Sequence, residues 1–225
     1  DLEINSYYNG GNRRNNGVFN LQSGVLTING EINTTNENSG NTSTFSMASG
    51  AESGLLKLTA ASPFNLSGQG TNTINLNGTS AVVEYMGSVN QNALGTTYRT
   101  LLINNSNTGV TLSGNATAAT LDLTDGLLTT GSNTITVAST GSIINASADS
   151  YVSGKLARVL TTTATTTYPV GKGGVYSPVV FTYAAAPGSK TVTIEQFETG
   201  SPFSSSSIST TTFGSRYWNI TQSAI

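Results

Sequence analysis

One local pattern recurs along most of this chain and limits what it can fold into. From Gly17 to Ile144, short stretches with alternating apolar side chains are separated by turns rich in Gly, Asn and Ser. Alternation with period two places apolar side chains on one face of a strand, and Asn and Gly favour tight turns. The sequence therefore predicts many short strands of three to five residues. The predicted strands include Val18–Leu21, Val25–Ile28, Leu55–Leu58, Thr73–Leu76, Val82–Tyr85, Leu101–Ile103, Val110–Leu112, Leu121–Leu123, Leu127–Leu128 and Ile135–Val137.

The scarcity of charge supports an all-β fold. Charged residues make up 9% of the 225 residues and hydrophobic residues 36%, against roughly 25% and 45–50% in soluble globular domains. So few charges cannot keep long helices soluble through ion-paired polar faces. Disorder is the alternative, but disordered chains usually carry a high net charge, whereas here the net charge is −2 and Val, Ile and Leu recur.

Internal similarity favours a repeat architecture for the first part of the chain. The stretch from Phe19 to Thr27 aligns with that from Leu121 to Thr129, both reading apolar-x-apolar-x-x-Gly-apolar-Leu-Thr. An antiparallel sandwich would need longer strands with hairpin turns, and a propeller would need a repeat of about 40–45 residues. Very short strands with small polar turns suit stacked parallel coils. We therefore predict a parallel β-solenoid (β-helix) over residues 1–158.

The composition changes near residue 150, and we predict an Ig-like β-sandwich module over residues 159–225, truncated at its C-terminal end. Its strands are longer and begin near Pro169 and Pro178, a position where proline removes no ladder donor. The tract from Thr161 to Thr167 is predicted to be an exposed loop or edge. The segment Gly171–Gly174 is predicted to be a hairpin or loop rather than a phosphate-binding loop. Trp218, the only tryptophan, is predicted to lie in the sandwich core.

The residue types leave little room for catalysis. Histidine and cysteine are both absent, which removes the commonest general base, Ser-His and Cys-His nucleophiles, and zinc sites with nitrogen or sulfur ligands. Asp122 and Asp125 are the best carboxylate pair, and we predict turn and surface roles for them, with a cation site or catalysis as alternatives. We predict no enzyme activity, cofactor or metal.

The sequence also bears on partners. Sparse, balanced charges argue against nucleic acid, which needs clustered Lys and Arg, and the chain has no run of about 18 apolar residues that would insert into a membrane. For ligand binding the candidate residues are Tyr7, Tyr8, Arg13 and Arg14, because Tyr and Arg are common anchors for partners. A solvated loop, or an interface to further sequence, is the alternative for this segment.

Several passages taken in order carry a family resemblance. They are Val83–Ser88, Gln91, Tyr98–Asn105, Gly109–Leu112, Leu121–Ile135, Gly154–Leu156, Tyr168–Gly171, Tyr176–Val179 and Tyr217–Ile220. Their succession resembles the large repetitive cell-surface and secreted proteins of Bacteroidetes, which look like adhesins and are usually exported by the type-nine secretion route. The resemblance implies export, an extracellular or cell-surface location, and a role in adhesion or as a stalk. It carries over no functional residue.

These observations predict a non-catalytic extracellular segment of a large bacterial surface protein, acting as a rigid stalk or adhesive rod. The alternatives are a glycan-binding module and a carbohydrate-active β-helix, either a polysaccharide lyase or a hydrolase. The expected partners are host, environmental or cell-surface glycans or proteins, together with neighbouring domains of a longer chain. End-to-end self-association is a further expectation, because the ends of a coil stack are open sheet edges.

Overall fold

The computed structural model describes residues 1–8, 14–36, 39–47, 54–106, 109–161, 165–182, 188–199 and 216–224. Across these ranges the regular secondary structure is entirely β, in 22 strands, which confirms the all-β prediction. In chain order the strands are β1 (Leu2–Tyr8), β2 (Arg14–Asn15), β3 (Gly17–Asn20), β4 (Gly24–Ile28), β5 (Ile32–Asn36), β6 (Thr42–Ser46), β7 (Gly54–Leu58), β8 (Phe64–Gly68), β9 (Thr71–Asn75), β10 (Val82–Tyr85), β11 (Gln91–Ala93), β12 (Thr97–Asn104), β13 (Val110–Leu112), β14 (Ala116–Asp125), β15 (Leu128–Ile144), β16 (Val152–Leu160), β17 (Thr165–Tyr168), β18 (Val170–Lys172), β19 (Val175–Tyr176), β20 (Val179–Thr182), β21 (Lys190–Phe197) and β22 (Tyr217–Ala224).

Parallel pairing between successive passes of the chain dominates the fold. The first ladder joins β1, β5 and β8, and the second joins β3, β6 and β9. The third joins β4, β7, β10, β12, β14 and β15. In the first three passes the chain places one strand in each ladder and then returns to the first. Parallel neighbours cannot be joined by a tight hairpin, so each strand is paired with strands from adjacent passes.

The length of one pass changes along the chain. Leu2 pairs with Ile32, so an early pass takes 30 residues, whereas Leu101 pairs with Leu121, so a later pass takes 20. A search for a fixed repeat length misses such an arrangement. The similarity between the stretches beginning at Phe19 and Leu121 therefore reports a shared turn rather than a constant period.

Three strands between Gly17 and Ile144 are longer than the sequence predicts. β12 has 8 residues, β14 has 10 and β15 has 17, so the expectation of three to five residues is wrong for these strands. β14 and β15 continue through the corner between two ladders, with a shift of register between Ala118 and Thr120 where they pair. Small and β-branched residues around this shift let the chain turn without leaving the extended conformation.

A single apolar cluster fills the inside of the stack, extending from Ile4 to Ile194. In the third ladder, Leu56, Val83 and Leu101 occupy equivalent inward positions on consecutive passes and are 0% exposed. A fully buried aliphatic side chain contributes about 1.5–3 kcal/mol. Each pass therefore gains most of its stability by covering the apolar face of the pass before it.

The early passes also have a polar interior, which the sequence analysis did not predict. Asn36 is 1% exposed, and its Oδ1 accepts hydrogen bonds from the hydroxyls of Ser6 and Ser43. Its Nδ2 donates to Asn72 Oδ1 at 2.6 Å and to the Thr71 carbonyl at 3.2 Å. Because the amide is bonded on both sides, burying it does not carry the penalty of an unpaired polar group.

Pairing changes from parallel to antiparallel at β16. This strand pairs with β15 in parallel and with β21 antiparallel, and β21 pairs with β22 antiparallel. β17 pairs with β20 antiparallel, and β18 and β19 form a hairpin. The change falls within the strand that contains residue 159. The division into a solenoid over 1–158 and a sandwich over 159–225 stays a prediction, as does the truncation.

Glycine geometry bears out two turns that the sequence predicts. Gly173 and Gly174 have φ of 59° and 80° and connect β18 to β19, as a two-residue hairpin with positive φ at both positions requires. Gly24 and Gly126, which occupy the same place in the two similar stretches, have φ of 77° and 81°. The shared glycine therefore marks a shared left-handed turn.

Candidate ligand-binding groove

The predicted ligand-binding residues lie at the first strand pair. β1 and β2 are antiparallel, with Tyr7 opposite Asn15 and Tyr8 opposite Arg14. The backbone thus brings Tyr7, Tyr8 and Arg14 to one end of the first ladder. Arg13 and the side chains of the other three lie outside the described part of the structure, so their role in binding stays a prediction.

The aspartate pair lies at the end of β14, with Gly126 as the following turn residue. Asp122 Oδ1 accepts hydrogen bonds from Thr124 Oγ1 at 2.9 Å and from Asn145 Nδ2 at 2.8 Å, both at the surface. The backbone carbonyl of Asp125 accepts from the Asn105 amide at 3.0 Å. These contacts agree with the predicted surface and turn roles. Among the described residues no group of three or more Asp, Glu, His or Cys side chains is placed to hold a metal ion.

A groove opens where the third ladder ends. Ser142 and Ile144 of β15 pair with Thr120 and Asp122 of β14 on one side. Within the described residues no strand pairs with Ser142–Ile144 on the other side, because β16 joins β15 only up to Val137. β17 follows this edge in the chain but pairs with β20 instead. The result is a cavity of about 500 Å³ between the end of β15 and β17.

Arg158 of β16 bridges this groove. Its guanidinium donates to the Gly141 carbonyl on the β15 side at 3.1 Å and to the Thr167 carbonyl on the β17 side at 3.5 Å. Desolvation in the groove lowers the pKa of Arg158 from its ordinary value, an effect partly opposed by Tyr168. The two ion pairs among the described residues are Lys57–Glu84 and Arg216–Glu198, and neither involves Arg158. The half-buried guanidinium therefore faces carbonyl dipoles rather than a carboxylate.

Hydroxyl, amide and ring groups line the rest of the groove. Its walls consist of Gly141, Ser142, Ile143, Asn145, Ala146, Thr165, Thr166, Thr167, Pro169 and Tyr176. Burial raises the pKa of the Tyr176 hydroxyl, and the Tyr176 ring lies 5.7 Å from the Tyr151 ring at a tilt of 32°. Asn145, the one described non-glycine residue with a positive φ (60°), connects the groove to Asp122. The groove thus combines one cation, several hydrogen-bonding groups and a supported aromatic ring.

The predictions for the neighbouring segments have mixed outcomes. Part of the threonine tract, Thr165–Thr167, lies in a strand of a two-stranded sheet, as the expectation of an edge implies; residues 162–164 are outside the described ranges. The prediction that Trp218 lies in a core is wrong. Its side chain is 40% exposed, and its Nε1 donates to the Ser177 carbonyl at 3.1 Å. β22 pairs on one side only within the described residues, which leaves Trp218 at the surface.

The carboxylate of Glu84 is also buried, and its contacts within the sheet account for this burial. Glu84 is 5% exposed; it accepts from Asn104 Nδ2 at 2.7 Å and lies 3.2 Å from Lys57 Nζ. All three residues lie on neighbouring strands of the third ladder. The carboxylate is compensated within the sheet by one hydrogen bond and one ion pair.

Comparisons with protein-family models, curated proteins and solved structures find no match to this chain. No helix among the described residues is long and apolar enough to cross a membrane. The geometry of the groove is therefore the basis on which its chemistry is inferred.

No pattern in the sequence indicates the groove. Arg158 shares its strand with Lys155 and belongs to no recognisable motif. The groove residues are separated by up to 35 positions, from Gly141 to Tyr176. The sequence signals present were the threonine tract and the Tyr-Ser-Pro segment, both of which border the groove. Neither indicates a cavity without knowledge of where the third ladder stops.

Proposed function

We propose that this chain is a non-catalytic, extracellular structural or adhesive segment of a large bacterial cell-surface protein. In this proposal residues 1–158 form a parallel β-solenoid and residues 159–225 a β-sandwich module. The solenoid acts as a rigid stalk or adhesive rod, exported like the Bacteroidetes proteins that the sequence resembles.

The observation that carries the proposal is the uninterrupted core of the stacked passes. Parallel pairing runs from β4 to β16, and a single apolar cluster extends from Ile4 to Ile194 of β21. In a stacked array each unit contacts its neighbours, and stability accumulates with each interface. Backbone amides held in such ladders open rarely. These properties suit a part that must keep its shape outside the cell.

The surface of the stack is also regular. Thr97, Thr117 and Thr136 are paired in register on three consecutive passes. At the other end, Val18 and Val25 are 59% and 64% exposed on β3 and β4, which pair on one side only within the described residues. This apolar edge supports packing against a neighbouring domain of a longer chain, or end-to-end association of two copies.

A retention and turnover screen tests this function. The purified chain is incubated with bacterial, algal and plant polysaccharides, and bound protein, new reducing ends and unsaturated products are measured, with heat-denatured chain as control. We expect no turnover on any polymer, with or without retention. New chain ends released from any polymer would overturn the non-catalytic proposal in favour of a lyase or hydrolase.

Limited proteolysis tests the rigidity of the stack. Under native conditions, we expect cleavage to spare the ladders from β4 to β16 at protease concentrations that digest the urea-unfolded chain. Cutting within β7, β10, β12 or β14 before any other site would contradict a rigid stalk.

A further inference from the structure

The Arg158 groove has a composition that a passive stalk does not require. A strand in register with Ser142–Ile144 would close the third ladder and bury this edge, as occurs on every earlier pass. Instead a cavity of about 500 Å³ remains, within the range of roughly 300–1,000 Å³ typical of small-molecule sites. An arginine spans it from wall to wall.

We propose that this groove binds an anionic saccharide, with the ligand's carboxylate paired to the Arg158 guanidinium. The proposal goes beyond the structural role and does not depend on it, since a rod can carry the groove empty or filled.

The charge of the groove points to an anion. Arg158 is half-buried, and among the described residues its guanidinium bonds two backbone carbonyls and no carboxylate. A guanidinium has five N–H donors in a planar fork that matches a carboxylate. Partial burial of an uncompensated cation is costly, so a ligand anion in the groove gains more than it would at a solvated arginine. The lowered pKa of Arg158 is consistent with this desolvation.

The walls of the groove point to a sugar rather than a simple anion. The side chains of Ser142, Thr165 and Asn145 each have one hydrogen bond within the protein. Their remaining lone pairs and amide hydrogen can exchange hydrogen bonds with sugar hydroxyls. Tyr176 and Pro169 offer apolar surface to a ring face, and the Tyr151 ring supports Tyr176 from behind. A small inorganic anion would use the guanidinium alone and would not cover the apolar surface of Tyr176 and Pro169.

The Arg158 guanidinium can pair with a carboxylate or with a sulfate ester, so the probes must distinguish these two groups. Suitable probes are trigalacturonic acid, its methyl ester and a sulfated disaccharide, each titrated into the ¹⁵N-labelled chain. We expect trigalacturonic acid to shift the amide signals of Gly141, Ser142 and Thr167 in a saturable way, and the uncharged ester to leave them unchanged. Saturable shifts at these amides with the sulfated probe alone would keep an anionic sugar and replace the carboxylate by a sulfate ester.

Variants then test the role of the guanidinium. Arg158→Gln removes the charge, and we expect at least a tenfold loss of affinity by calorimetry; Arg158→Lys keeps the charge without the planar fork and should retain part of it. Arg99→Gln is the matched control, because Arg99 is exposed on β12 and does not line the groove. Thermal melting of each variant separates loss of binding from loss of fold.

Three results would overturn the proposal: shifts confined to other amides, equal binding of the neutral ester, or no shift with either anionic probe at millimolar concentration. If Arg158→Gln fails to fold, the wild-type titrations still decide where the ligand binds. In that case Thr167→Trp is used instead of Arg158→Gln. This substitution is at an exposed position, fills the groove and should abolish the shifts at Gly141. Failure here leaves the stalk proposal intact, whereas polymer cleavage would remove the stalk proposal without bearing on this site.

Discussion

Replacing Gln91 by leucine tests whether buried side-chain amides hold successive passes together. Gln91 is 0% exposed. Its Nε2 donates to the carbonyls of Leu58 and Ala60 at 2.9 and 3.0 Å. Its Oε1 accepts from the Gly87 amide at 2.7 Å and from Asn105 Nδ2 at 3.1 Å. One side chain therefore connects segments from three passes, and leucine, similar in size, can make none of these bonds.

The cost of the substitution follows from which partners have a second bond. The Leu58 carbonyl also accepts from the Met86 amide, and Asn105 Nδ2 also donates to the Val89 carbonyl. Gly87, which is buried, and Ala60 lose the partners described above. A buried polar group left unpaired costs about 1–3 kcal/mol, and the Ala60 carbonyl is half-buried and can be hydrated. Gln91→Leu should therefore destabilise the chain by about 2–4 kcal/mol.

Urea unfolding followed by far-UV circular dichroism and by the fluorescence of Trp218 measures this loss. Asn92→Ala is the control, because Asn92 is exposed on the same strand and bonds only Ser62 among the described side chains; it should change the free energy of unfolding by less than about 0.5 kcal/mol. A Gln91→Leu midpoint equal to that of the control would refute the idea that this amide carries the inter-pass bonds.

Three other perturbations have expected results. Gly126→Ala should cost about 2–5 kcal/mol by urea unfolding, because the new Cβ would lie 1.9 Å from a backbone carbonyl oxygen at a left-handed φ; Gly24→Ala has a similar φ and no atom within 4 Å, and should cost about 1–2 kcal/mol. Burial raises the pKa of Tyr85 to about 12 and raises that of Tyr98. The unfolded chain therefore releases these protons at a lower pH than the folded chain does, and the melting temperature should fall as the pH rises above about 10. The fall should be less steep in Tyr85→Phe. Asp122→Ala should cost under about 1 kcal/mol by urea unfolding, since both side-chain bonds of Asp122 are at the surface.

The sequence predicts the strands that are built from aliphatic residues. The predicted strands Val82–Tyr85 and Val110–Leu112 match β10 and β13 residue for residue, because one buried face leaves a period-two record. β5 and β6, with sequences INTTN and TSTFS, escaped prediction. Their inward positions include Thr34 and Asn36, and Asn36 is buried through hydrogen bonds to Ser6 and Asn72 on other passes. Such partners are distant in sequence, so polarity there resembles a loop.

The candidate groove could not be predicted for a related reason. A parallel ladder leaves no signal in the sequence for the pass at which it stops, since the final strand has the same inward residues as those before it. Ile143 packs against the core like its predecessors in the ladder, while the edge beside it lacks a strand partner within the described residues. Trp218 shows the opposite error: its size predicted burial, but β22 pairs on one side only among the described residues, and the side chain is exposed.

The way in which the stack is closed connects the fold to the groove. In a stack of parallel strands, the last strand of each ladder has an open edge. The backbone N–H and C=O groups of that edge need a partner or a cap. β21 and β22 continue the sheet beyond the C-terminal part of β16, and the β18–β19 hairpin continues it beyond the N-terminal part. The end of β15, Ser142–Ile144, receives no such strand among the described residues, and Arg158 instead donates to the Gly141 carbonyl beside it. A side chain that caps one carbonyl leaves space where a whole strand would have packed. The unpaired end of β15 is thus sufficient to create a cationic cavity on an otherwise regular, nearly uncharged surface.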